Sequence, residues 1–162
     1  MRRKLTRDAL GITGWKILKG LLRALGRKDS RPAALRIIAV QAVLLGACVA
    51  FGRPELYLIL WFVPYLTVWR VFNRLRAIAE HGGMERSADR RRTTHHARQS
   101  WWARFWIVPY HTGWHLAHHV DIAVPWRNLP RLHDELVAAG WVVPALEHRS
   151  YVELWRVLSS RS

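Results

Sequence analysis

Residues 37–51 read Ile-Ile-Ala-Val-Gln-Ala-Val-Leu-Leu-Gly-Ala-Cys-Val-Ala-Phe, and residues 56–69 read Leu-Tyr-Leu-Ile-Leu-Trp-Phe-Val-Pro-Tyr-Leu-Thr-Val-Trp. Only Gly52-Arg53-Pro54-Glu55 separates them. Gln41 is the one strongly polar residue of the first run, and the second has none beyond Tyr57, Tyr65 and Thr67. Each run is shorter than the roughly 20 apolar residues that cross a bilayer comfortably. Flanking residues lengthen both, with Arg36 and Arg70 placed to snorkel toward headgroups, which predicts spans over residues 34–52 and 55–72. Trp61 and Trp69 suit the membrane–water boundary. The expected fold is therefore an all-α membrane protein organised on one transmembrane helical hairpin, with amphipathic interfacial helices and a cytoplasmic histidine-bearing helical region.

The charge distribution agrees. The chain of 162 residues carries 26 Lys and Arg against 11 Asp and Glu, a formal charge of +15. Residues 1–32 hold ten basic and two acidic residues, and residues 73–162 hold thirteen and eight. Between them lie only Arg36, Arg53, Arg70 and Glu55. A basic–apolar–basic layout is that of a multi-pass protein of the cell membrane with both termini in the cytoplasm. It is not the basic stripe of a nucleic-acid-binding domain, and no nucleic-acid partner is expected. The single cysteine, Cys48, excludes an intramolecular disulfide and a cysteine-based zinc ribbon. The N-terminus has no continuous apolar stretch and no small-residue cleavage site, so it does not read as a secretory signal.

Outward from the hairpin, residues 2–28 read as amphipathic helix, with Gly11–Gly14 as the place where it breaks. Leu18, Leu21, Leu22 and Leu25 share a face opposed to basic residues, a pattern that suits the surface of an anionic leaflet. Residues 26–32 form a breaker-rich linker. On the other side, Arg70–His81 continues the second span as a helix that stops at Gly82-Gly83. Residues 84–99 read as a polar loop that leaves His95 and His96 in solvent. Residues 101–108, Trp-Trp-Ala-Arg-Phe-Trp-Ile-Val, read as a segment returning to the membrane surface. Leu129, Leu132, Leu136 and Val137 recur at helical spacing, and a turn at Gly140 and an amphipathic tail over residues 151–158 follow.

Eight of the nine histidines lie between positions 81 and 133, with His148 outside. His111, His115, His118 and His119 fall on one stripe if their segment is helical, because residues three and four apart are neighbours on a helix. Imidazole suits iron, zinc, copper or nickel. Leu116 and Ala117 stand against a zinc hydrolase of the His-Glu-x-x-His type, because they place no carboxylate to activate a bound water.

His115-x-x-His118-His119 with its sequel Val-Asp-Ile-Ala-Val-Pro-Trp-Arg-Asn-Leu-Pro-Arg-Leu-His resembles the third histidine box of the integral-membrane fatty acid desaturases. Arg76-Ala-Ile-Ala-Glu-His81-Gly resembles that family's Glu-His-Gly segment, and Thr6-Arg-Asp-Ala-Leu-Gly-Ile-Thr-Gly resembles the stretch after its second box. The resemblance implies an oxidoreductase of lipid and fatty acid metabolism with two non-haem iron ions. Such an enzyme uses dioxygen to place a double bond in an acyl chain, and takes electrons from a ferredoxin, cytochrome or flavoprotein. By motif match it implies His81, His115, His118 and His119 as iron ligands, with His111 as a further candidate. Glu80, Asp121 and His133 are then residues that orient ligand imidazoles.

The family's two earlier boxes, His-x-x-x-His and His-x-x-His-His, have no counterpart before Ile37, since residues 1–36 contain no histidine. The expectation is that residues 1–162 correspond to the C-terminal half of a desaturase, with the histidine-rich region over 73–135 and an N-terminal half as necessary partner. Three readings stand at this point. One is a desaturase active with that half, one a related di-iron lipid hydroxylase or ketolase, and one a non-catalytic remnant.

Overall fold

The computed structural model describes residues 2–84, 87, 89, 91 and 93–160. The chain is mostly helical and divides into two compact units, Arg2–Val71 and Phe72–Ser162.

In the first unit the amphipathic stretch forms α1 (Arg2–Ala9) and α2 (Ile12–Leu25), broken at Leu10–Gly11. Asp8 is fully buried at the break and accepts a hydrogen bond from the Thr13 hydroxyl. Gly14 is where α2 meets the later chain: a Cβ there would lie 2.5 Å from the Leu66 carbonyl oxygen, so only glycine admits that approach. α3 (Arg31–Ala50) opens with Pro32 in its first turn, where a missing N–H costs no intrahelical bond. It is the one described helix long and apolar enough to cross a membrane, and 6 % of its apolar window is buried.

The second apolar run is not one helix. Tyr57–Phe62 is wound as π-helix, α4 is the short Val63–Leu66, and Thr67 leaves helical geometry before α5 (Val68–His81) begins. Pro64 gives the physical reason. It has no N–H for the preceding turn and its ring crowds the carbonyl four residues back, so the turn before it widens. Thr67 donates its hydroxyl to the Val63 carbonyl at 2.7 Å, a side-chain bond that competes with the backbone ladder. The uninterrupted helix expected from hydropathy through residue 81 is thus replaced by three helical pieces. Gln41 of α3 accepts from the Tyr57 hydroxyl at 2.9 Å and the Trp61 indole at 3.0 Å, so the only strongly polar side chain of the first run is satisfied by the second.

The second unit is built on a small core of Ala79, Ala97, Ala103, Val108, Tyr151, Leu154 and Leu158. α5 runs into it and ends at His81. Gly83 follows with φ of 69°, and a Cβ on Gly82 would lie 2.4 Å from the Ile78 carbonyl oxygen. The expected glycine stop is therefore also a close contact. The polar stretch 84–99 carries a correction. Glu85, Arg86, Ala88, Arg90 and Arg92 lie outside the described residues, but His96–Ala97 forms a strand, β1, paired in parallel with β2 (Glu147–His148). His96 is buried there instead of standing in solvent, because its neighbour Ala97 enters the core and the strand goes with it. α6 (Trp101–Trp106) is capped by Ser100, which accepts from the Ala103 amide, and it leaves its four large aromatics exposed. α7 (His115–Val120), α8 (Leu129–Ala138) and α9 (Tyr151–Ser160) complete the unit. Trp155 of α9 donates to the Leu75 carbonyl of α5 at 2.9 Å.

Candidate metal centre

Two helix ends make the site. His81 is the last residue of α5, and His115 and His119 stand one turn apart on α7. A four-residue offset places two imidazoles on one face of a helix. The Nε2 atoms of His81 and His115 are 3.1 Å apart, and those of His115 and His119 are 3.0 Å apart. One ligand atom from each of the three residues falls within 4.8 Å of the others. Two nitrogens each about 2.1 Å from a shared ion and meeting it near a right angle would be separated by about 3 Å, so the donor set fits a transition-metal ion.

The surroundings prepare these nitrogens. His81 donates through Nδ1 to the Thr93 carbonyl at 2.8 Å, which leaves Nε2 as the lone-pair atom facing His115. Ligand histidines are commonly oriented this way through their other nitrogen. Burial lowers the pKa of His115 to about 3, with the neighbouring His119, His81, Arg76 and His118 acting in the same direction. It is neutral at physiological pH, the form that ligates. Glu80, buried, lies with Oε2 3.6 Å from His115 Nε2, while Oε1 accepts from Arg76 at 2.6 Å. Burial raises its carboxyl above the usual range, a rise that Arg76 and His81 only partly offset.

The other sequence candidates fall out as follows. His118 is exposed, its ring 6.1 Å from those of His115 and His119. With His115 it opens on a cleft of about 210 Å³ that also involves Arg76, Tyr110, Thr112, Trp126 and Leu129. His111 is not on the histidine helix. Tyr110 and His111 have φ of 56° and 58°, so α7 begins only at His115 and the four-histidine stripe is cut to three. Its ring lies 5.4 Å from Trp126 instead. Asp121 ends α7 and accepts from the Ala123 amide at 2.8 Å, a turn role. His133 joins His96 and Glu147 in a second group. His148, isolated in sequence, lies with Nε2 3.2 Å from His95 Nδ1, and His95 in turn donates through Nε2 to the Gly82 carbonyl. Sequence reasoning missed His96 and Glu147, since two-residue strands carry no readable alternation. Only the density of histidines in the region hinted at a second group.

A helical chain with imidazoles gathered at paired helix ends offers a histidine-rich donor set of the kind that can hold a metal ion. The family model for fatty acid desaturase matches residues 2–151, and the chain belongs to the fatty acid desaturase family. No curated protein and no solved structure matches it. The family is one of membrane-associated oxidoreductases that use iron, act on lipid and draw on an electron donor.

Proposed function

We propose that the chain is the iron-binding C-terminal part of an acyl-lipid desaturase, with His81, His115 and His119 holding one ion and His118 facing a second across the cleft. The observation that carries this is the convergence of three Nε2 atoms at 3.0–3.1 Å spacings within a chain of the desaturase family. Bound iron supplies the oxidising power to take two hydrogens from unactivated methylenes using dioxygen and donated electrons. The chain's own residues do the rest: Thr93 fixes the tautomer of His81, Glu80 stands beside His115, and burial keeps His115 uncharged. His111, Asp121 and His133 play no direct part in this reading, since His111 lies off the histidine helix and Asp121 and His133 are bonded to Ala123 and Glu147. The remaining ligands come from a segment bearing the family's His-x-x-x-His and His-x-x-His-His boxes, in the same or a companion polypeptide.

The apolar run of α3 and the helical pieces after it form the membrane hairpin of this reading, with both ends cytoplasmic. The outward-facing apolar surface of α3 supports it, as does the satisfied Gln41. The test is lipid analysis by gas chromatography and mass spectrometry in cells making the chain together with the box-bearing segment. A new double bond that disappears with His115→Ala is expected. A new hydroxyl or keto group assigns the related oxygenase class, and product formation by His115→Ala overturns the ligand assignment.

A further inference from the structure

A second histidine cluster lies in the same unit on elements the first does not use. β1 brings His96 into register with Glu147 of β2, and α8 brings His133. One ligand atom from each of the three lies within 4.8 Å of the others. Both imidazoles are 4 % exposed. Each has a buried Nδ1 that meets no hydrogen-bond partner among the described residues, and so does the buried Nε1 of Trp114. Buried polar atoms without partners are uncommon in native proteins, and an ion or an ordered water is a usual explanation. A plain His133–Glu147 ion pair would explain one nitrogen and leave the rest of the cluster without a reason.

We propose that His96, His133 and Glu147 bind a divalent transition-metal ion of the zinc class, separate from the desaturase site and independent of that reading. His133 Nε2 and Glu147 Oε1 are 3.3 Å apart. That is close to the edge of a tetrahedron whose corners lie about 2.0–2.1 Å from its centre. The His96 ring stacks on His133 with centroids 4.0 Å apart. To aim a nitrogen at the shared ion it turns about χ2, a soft torsion in histidine, and its Nδ1 has no hydrogen bond to lose. Burial lowers the pKa of His96 to about 3, helped by the nearby His133, Arg98 and His148, so it offers a neutral base. Two imidazoles and one carboxylate favour zinc, iron, cobalt or nickel over magnesium and calcium, which prefer all-oxygen sets. The ion ties β1, α8 and β2 together, and its role is structural.

The test uses the full chain in detergent micelles carrying His115→Ala and His119→Ala, which disables the first cluster. Zinc is titrated in competition with a chromophoric chelator, and far-UV circular dichroism monitors folding. One equivalent of zinc bound is expected, with the affinity lowered more than about tenfold by Glu147→Gln or His133→Ala, because even residues that only support a ligand contribute that much. Glu147 has a side chain 41 % exposed, so its isosteric replacement decides the matter if His133→Ala does not fold. In the otherwise unsubstituted chain, Glu147→Gln removes one equivalent from the zinc stoichiometry. A folded background chain that binds no zinc overturns the proposal, as does an affinity unchanged by both substitutions.

Discussion

The two units of the chain differ in how much of their apolar surface they bury. In Arg2–Val71 the large side chains point outward: Val43 is 71 % exposed and Leu60 68 %, and the buried positions of α3 reduce to Ala34. In Phe72–Ser162 a small apolar core forms, with Val108, Leu116 and Leu154 fully buried around the elements that carry the histidines, while the aromatics of α6 stay exposed. Burial of apolar area is the main favourable term in water, so the second unit has a reason to hold its shape there. The first unit's outward residues find their favourable environment in a bilayer, as proposed above. The lesson is a division of labour. One unit reads its solvent, and the other holds donor atoms still. Substitutions in the second should move metal and product, and those in the first should move stability alone.

The largest expected effect tests that division directly. His115 is the shared corner of the imidazole cluster, 3.1 Å from His81 and 3.0 Å from His119. His115→Ala should abolish double-bond formation and weaken iron binding by more than about a hundredfold, beyond the loss caused by removing a supporting residue. Far-UV circular dichroism should be unchanged. Iron analysis and lipid profiling of the chain assembled with its box-bearing segment read both quantities. A product yield at the unsubstituted level would break the comparison at its centre.

Glu80→Gln comes next. It keeps the shape but removes the charge that Arg76 and His115 share, and supporting residues of this kind contribute about 10–100-fold in metal affinity. A zinc titration of the full chain measures it. An affinity within twofold of the parent would mean that Glu80 serves only the Arg76 pair.

How much of this was legible beforehand follows the same division. α3 was readable within three residues at either end because an apolar run with one glutamine between Arg36 and Gly52 has few other outcomes. The second run was read too simply. Its composition is equally apolar, and the π turns before Pro64 and the break at Thr67 are backbone effects that hydropathy does not register. At the candidate site, the resemblance of Glu-His-Gly and His-x-x-His-His to the family's segments named His81, His115, His118 and His119, and the structure gathers three of them, His81, His115 and His119. The stripe failed at His111, where left-handed backbone at two non-glycine residues interrupts the register. His96 and Glu147 were out of reach: their pairing joins residues 51 positions apart through a two-residue bridge, and no local pattern encodes it.

A smaller effect separates fold from site within the first unit. Gly14→Ala would set a methyl 2.5 Å from the Leu66 carbonyl oxygen, and the backbone shift it forces should cost about 1–3 kcal/mol. Metal affinity should stay at the parent value while thermal denaturation in micelles moves down. A parallel loss of metal would show that the two units do not divide the work as described.

Gln41→Leu is expected to have the smallest effect and the sharpest dependence on surroundings. Gln41 receives hydrogen bonds from Tyr57 and Trp61 at 2.9 and 3.0 Å. In water both donors would find solvent and the substitution would be close to neutral. In a bilayer they have no such alternative, but interhelical polar contacts there still average only about 0.6 kcal/mol, because the loosened state also finds partners. The expected outcome is a loss of that size in lipid nanodiscs, measured by thermal denaturation, with zinc affinity unchanged. A gain in stability in nanodiscs would instead mean that the glutamine is tolerated there at a cost, and that the contact between the two runs is held by their apolar surfaces alone.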